Sequence, residues 1–216
     1  QSYFDNKVCT FSIENLSMSY SHPITNRSWS RVKISQTNFL YNSHFTEYDT
    51  RISLIELRHY FKLLKFSNNV WYSYSNGNNI SYDSGYFSTS VDRSYYEHNI
   101  GLLGKIRGKD IIKSNSIHYF GFSLILKNRI YKSETEIEDV IDSWQYESHN
   151  SREHIETNIS FWIDAKINNQ ITNQIKFKYR IRDVESDYTW ITDYKNFNKY
   201  EIIYKISINS DLNLLY

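Results

Sequence analysis

The sequence predicts an α+β fold in a single domain that spans residues 1–216. Its 20 Tyr, 12 Phe and 5 Trp favour a sheet, because aromatic side chains are enriched on pleated, half-buried surfaces. Strand-like and helix-like patterns alternate without a regular βαβ period, which indicates mixed rather than doubly wound architecture. No repeat, low-complexity block or Gly/Ser/Pro-rich linker divides the chain, so we expect one core.

The first half of the chain predicts short strands, then a helix, then a turn. Residues 11–40 mix polar and apolar residues in strand-like runs that break at 21–26. A helix is predicted to start after Asp49 and Thr50, since apolar residues then recur at helical spacing as Leu54, Leu57, Phe61 and Leu64. It should end at Asn68-Asn69, with a turn over 76–79 and a strand over 86–90.

The second half predicts one more helix and most of the sheet. Asp92 could cap a helix over 91–103. The apolar run 117–126 predicts a central strand, and 137–141 a short helix or turn. Further strands are expected at 159–167, 175–182 and 201–208.

Composition narrows the classes of partner and environment. The 25 basic and 24 acidic residues give a net charge of +1, which provides no overall field for nucleic acid. No apolar run reaches the ~18 residues of a membrane span, so we expect a soluble chain without one. The lone Cys9 cannot form an intrachain disulfide, the histidines show no metal-binding spacing, and a start at Gln1 suggests a processed, secreted protein.

The segment 83–90 carries the most distinctive pattern, an aromatic pair followed by three hydroxyl residues. On a strand, Ser88 and Ser90 would share one face and Thr89 the other. A strand end followed by a helix cap explains such a triplet without any chemistry.

This segment resembles the aromatic-Ser-Thr-Ser motif of ADP-ribosylating toxins, in the group of cholera toxin and heat-labile enterotoxin A subunits. In that family a helix, an apolar strand and an acidic Glu-x-Glu loop follow the motif. The matching pieces here are 91–103, 118–126, 137–141 and 151–155, so the resemblance spans about 31–205. Two features depart from the family: the Tyr-Arg-x-Asp motif is absent, and Ser151 stands where arginine-modifying members place the first Glu.

The resemblance implies a mono-ADP-ribosyltransferase with a core of about 27–205. It would cleave the nicotinamide–ribose bond of NAD and pass ADP-ribose to a host protein, and a separate subunit could deliver it to the target cell. Glu153 would stabilise the oxocarbenium-like transition state, Ser88 would orient that carboxylate, and Arg31 would bind the diphosphate. The remaining NAD contacts would be Tyr86, Phe87, Thr89 and Ser90, and no metal is implied.

Two alternatives remain open at this point. The chain could be a secreted β-rich protein that binds a partner without catalysis, in which the hydroxyl triplet is simply a strand end. It could also keep the toxin fold without turnover, because fold alone does not decide function.

Overall fold

The computed structural model describes residues 11–41, 49–80, 94–112, 116–132, 147–148, 150–168 and 170–208. They form nine long strands, one 3₁₀ turn at Gly108–Asp110 and one helix, α1 (Thr189–Lys195). The strands are β1 (Phe11–Thr25), β2 (Ser28–Tyr41), β3 (Thr50–Leu63), β4 (Phe66–Asn79), β5 (Tyr95–Arg107), β6 (Ile117–Tyr131), β7 (Glu153–Lys166), β8 (Ile171–Glu185) and β9 (Phe197–Ile208).

All nine strands form one antiparallel sheet in which each strand pairs with its neighbours in sequence. The connections at one end of the sheet are mostly tight turns, at 26–27, 64–65 and 167–170, with a nine-residue connection at 108–116. Those at the other end have at least eight residues and are longer on average, namely 42–49, 80–94, 132–152 and 186–196. We call these the short-turn end and the long-loop end.

Side chains alternate between the two faces of the sheet, as the period of two in a strand requires. In β4, Ser73 and Ser75 lie on one face and are buried, whereas Val70 and Tyr72 lie on the other and are exposed. We call the first face polar and the second apolar. Continuous register carries both faces across the sheet, for example from Ser73 to Glu56 on β3 and Asn99 on β5.

Two tryptophans lie flat across glycines on the polar face. A Cβ at Gly101 would overlap the indole of Trp71, which is its pairing partner on β4. A Cβ at Gly121 would overlap Trp162 of β7 in the same way. The glycines therefore provide room for large rings that cover the neighbouring strand.

Helix α1 is tied to β8 at the long-loop end. Ile191 is the most deeply buried side chain of the described residues. Beyond the helix, the Asn196 Oδ1 accepts a 2.6 Å hydrogen bond from the Val184 N–H. This bond fixes the path from β8 through the helix into β9.

The predicted α+β class is wrong, since the described chain is almost entirely antiparallel strand. The predicted helix after Thr50 is β3, and much of the predicted helix 91–103 belongs to β5. In β3 the period of two was visible in Ile55, Leu57 and Phe61. The pattern predicted a helix instead because Leu54, which lies on the polar face, completes an apparent apolar stripe at helical spacing.

The resemblance to the enterotoxin A subunits is wrong for the same reason. An all-antiparallel meander has no place for the helix, strand and loop order on which the resemblance was based. The predicted break at 21–26 is displaced, because β1 reaches Thr25 and the turn into β2 lies at 26–27. The predicted break at 68–69 and the turn at 76–79 are wrong, because β4 contains both. The strands predicted near 117, 159, 175 and 201 are confirmed as β6 to β9, each longer than expected at one end or both.

Candidate functional site: the two faces of the sheet

Positive charge is concentrated on the polar face. By register, the strands place five carboxylates there, namely Glu56, Glu97, Glu156, Asp164 and Glu201. They place fifteen cations on the same face: Arg31, Lys33, Arg58, Lys62, Lys105, Arg107, Lys127, Arg129, Lys166, Lys176, Lys178, Arg180, Arg182, Lys199 and Lys205. The near-neutral net charge of the whole chain therefore conceals a strongly basic surface.

Glu56 shows how these charges are arranged on β2 and β3. Its carboxylate accepts from Arg31 at 3.2 Å and from Arg58 at 2.9 Å, so one anion serves two cations. The Arg58 guanidinium also lies 4.6 Å from the centroid of Trp71, in cation–π geometry. The cluster stays positively charged after all its ion pairs are made.

Glu201 repeats the arrangement on β8 and β9. It lies 2.7 Å from the Lys199 Nζ, 3.6 Å from the Lys178 Nζ and 3.8 Å from the Arg180 Nε. Three cations share this carboxylate. The carboxylate is therefore the minority charge in this cluster too.

The two most buried carboxylates lie on the polar face near the long-loop end. Glu97 accepts a 2.7 Å hydrogen bond from the Arg129 Nε, and the Lys127 Nζ lies 3.8 Å away. Glu156 accepts from both Nε and Nη2 of Arg182, at 3.0 and 2.6 Å. These charge-assisted contacts link β5 to β6 and β7 to β8.

Arg152, just before β7, is buried without a carboxylate partner among the described residues. Its Nη1 donates to the Ser148 carbonyl at 2.7 Å, and its Cζ lies 3.9 Å from the Tyr131 ring centroid. Burial lowers the pKa of this guanidinium, and the positive charges of Arg129 and Arg182 lower it further. The group adds positive potential at the long-loop end of the polar face.

The apolar face has the opposite character. Every strand exposes large apolar side chains there, from Leu124 at 37% to Leu16 at 79% of full exposure. The other members include Leu16, Met18, Val32, Ile34, Ile55, Val70, Tyr72, Ile100, Leu124, Leu126, Ile155, Phe161, Ile175, Phe177, Tyr200 and Ile206. Within the described residues, no helix or second sheet covers this face.

Polar side chains on the apolar face are concentrated near the long-loop end, with a smaller Ser30–His59 pair near the short-turn end. Arg51 Nε donates to Asn38 Oδ1 at 3.2 Å, and Asn38 Nδ2 donates to Glu14 at 3.2 Å. Farther round the sheet, Asn128 Nδ2 donates to Glu153 at 2.8 Å. We call these residues, with Gln36, Ser53, Asn76, Asn78, Asp183 and Glu185, the polar belt.

The structure does not bring the predicted NAD-binding residues together where it describes them. Arg31 lies on the polar face of β2, whereas Glu153 lies on the apolar face at the start of β7, five strands farther along the sheet. Arg31 contacts Glu56, and Glu153 belongs to the polar belt. Tyr86, Phe87, Ser88, Thr89 and Ser90 lie outside the described residues, as does Cys9, so their roles are not tested.

Sequence analysis missed the functional character of both faces. The signal was present, because Lys176, Lys178, Arg180 and Arg182 alternate with apolar residues in one strand. Read with a period of two, the same alternation recurs in most segments. The apolar face of a strand is usually assumed to point inward, and under that assumption the alternation does not predict a lipid-facing or pore-lining surface.

Comparisons with known proteins give little further guidance. No protein-family model matches the chain, and no curated protein is similar to it. A solved structure of the NanC porin, in a rhombohedral crystal form, superposes with a TM-score of 0.40 at 12% sequence identity. The match covers 94% of this chain and 97% of the porin, and at that score it carries no argument about fold or function.

The described residues lack two further features. None of the described helices is long and apolar enough to cross a membrane. Over the same ranges, no group of three or more His, Cys, Asp or Glu side chains is placed to hold a metal ion.

Proposed function

We propose that this protein is a membrane-embedded β-barrel that forms a polar pore, with its apolar face in lipid and its polar face lining the lumen. One observation carries the proposal: the buried side chains of the described sheet are mainly polar or charged, whereas large apolar side chains are exposed on every strand from β1 to β9. This is the reverse of a water-soluble sheet and the pattern of strands that span a bilayer.

The exposed apolar face is too extensive for a water-soluble protein. Soluble monomers rarely expose contiguous apolar patches beyond a few hundred Å². Here the apolar side chains continue from β1 to β9 without interruption. Burying one such side chain fully is worth roughly 1.5–3 kcal/mol, so the surface strongly favours a covering phase.

A bilayer matches this surface in height. On β8 the apolar face runs from Ile171 to Ile181, interrupted only by Asn173. Ten residue steps of ~3.4 Å give ~34 Å along the strand, which projects to ~24 Å at the ~45° tilt of membrane strands. That is close to the ~25 Å apolar band of transmembrane barrels.

The two ends of the sheet also differ as such a barrel requires. Short turns at one end and longer connections at the other are typical of transmembrane barrels. The polar belt lies at the long-loop end, where the strands would extend beyond the lipid into water. Lipid offers no hydrogen-bond partners to the backbone N–H and C=O groups along the edges of β1 and β9. The proposal therefore requires that the sheet close into a barrel.

Spin labels at two adjacent residues on opposite faces test the proposal. In a Cys9→Ser background, Ile34→Cys and Ser35→Cys would carry the labels in lipid vesicles, with Ser53→Cys in the polar belt as a water-facing control. Oxygen concentrates in lipid, whereas a charged nickel complex stays in water. We expect the residue 34 label to be relaxed by oxygen and protected from nickel, and the other two to show the opposite preference.

A second measurement addresses the pore. Purified protein added to a planar bilayer should give stepwise ohmic conductance. The alternative, a water-soluble β-rich binding protein, predicts that the chain stays in the aqueous phase in vesicle flotation. Nickel access at residue 34 equal to that at residue 53, with no flotation, would overturn the membrane proposal.

A further inference from the structure

We infer that the polar face of β8 and β9 forms an anion path, so that the pore conducts small anions in preference to cations. This inference rests on the proposed function and adds the chemical class of the solute. The shared chemistry is a small anion such as chloride, a carboxylate or phosphate.

The path is defined by four consecutive polar-face positions of one strand. Lys176, Lys178, Arg180 and Arg182 follow each other at every second residue of β8. Neighbouring positions are thus about 6.6–6.8 Å apart. An anion that leaves one cation is already within electrostatic reach of the next.

The carboxylates beside the path do not neutralise it. Glu156 pairs with Arg182, and Glu201 is shared by Lys178, Arg180 and Lys199. The side chains of Lys178 and Arg180 each keep 26% of full exposure beside this carboxylate. Both cations therefore remain accessible to an anion.

Lys176 extends the path to the short-turn half of the sheet. Its Nζ lies 5.6 Å from the ring centroid of Trp162 on β7, and no ion pair is recorded for it among the described residues. Several weak cationic positions in a row suit conduction, because an ion must enter easily and leave easily. A row of Lys and Arg is the arrangement that anion-selective pores use.

The reversal potential across a planar bilayer with a KCl gradient tests the inference. We expect the wild type to favour Cl⁻ over K⁺, and Lys178→Gln with Arg180→Gln to lower that permeability ratio by at least about twofold. Selectivity should also weaken toward 1 M salt, where the Debye length falls to ~3 Å. Arg51→Gln, in the polar belt, is the matched control and should leave the ratio unchanged.

A readout without conductance separates this inference from the pore proposal. The fluorescence of Trp162 is the component that Trp162→Phe removes. In detergent or vesicles, iodide should quench this component at least about twice as strongly as caesium does, because the Lys and Arg side chains concentrate the anion there. Lys176→Gln should abolish that excess. A pore that prefers K⁺, or equal quenching by iodide and caesium, would overturn the anion path. If iodide quenches more strongly than caesium but the protein gives no conductance, only the pore proposal is overturned.

Discussion

Replacing Leu57 with arginine measures what surrounds the apolar face. Leu57 lies in the middle of β3, pairs with Val32 and Tyr72, and is 51% exposed. In lipid, Arg near the bilayer midplane of a transmembrane barrel costs about 2–4 kcal/mol. In water, a surface substitution at such a position changes stability by at most about 0.5 kcal/mol.

Equilibrium unfolding in urea from lipid vesicles, followed by Trp fluorescence, is the assay. A loss of about 3 kcal/mol reduces the folding equilibrium constant by about two orders of magnitude. With a typical slope of about 1–3 kcal/mol per molar urea, the midpoint should fall by about 1–3 M. Ser53→Arg, on the same face and strand but in the polar belt, should cost no more than about 1 kcal/mol. Equal, small effects at both positions would refute the lipid-facing assignment.

Three further substitutions test the interior of the sheet, each by the same urea unfolding. Gly101→Val should lower the free energy of unfolding by about 1–3 kcal/mol, because its side chain would collide with Trp71, and Trp71→Ala should relieve most of that loss. A Gly101→Val protein of unchanged stability would contradict the ring-over-glycine packing. Glu56→Gln should lower the free energy of unfolding by about 1–3 kcal/mol, since it leaves Arg31 and Arg58 without their carboxylate. The control Glu14→Gln, on the exposed β1, should lower it by at most about 0.5 kcal/mol. Asn196→Ala should cost about 1–3 kcal/mol because the buried Val184 N–H loses its acceptor, and Asn196→Asp, which keeps an acceptor, should cost less.

The sequence supported individual strands better than their arrangement. Segments such as 175–182 alternate strictly, and a period of two can be identified without a structure. Which face meets water cannot be decided from alternation, because Ile175 with Lys176 fits an inward apolar face as well as an outward one. Register supplies the answer, since it aligns the same polarity over all nine strands.

The candidate site illustrates a second limit. Glu56, Arg31 and Arg58 come together only when β2 and β3 are paired in the observed register. The predicted role of Arg31 in NAD binding depended on the family resemblance and not on the residues that pair with it in the sheet. The count of basic and acidic residues gave almost zero net charge, and charges on opposite faces cannot be separated by counting.

The spacing of apolar residues also bears on how a chain with the proposed function would reach a membrane. Because polar residues separate most of the apolar ones, the mean hydropathy is −0.62 despite the extensive apolar face. Machinery that retains contiguous apolar segments of ~20 residues would find none in strands of this kind. The finished protein would thus be suited to lipid while its nascent chain could pass through an inner bilayer without being held there.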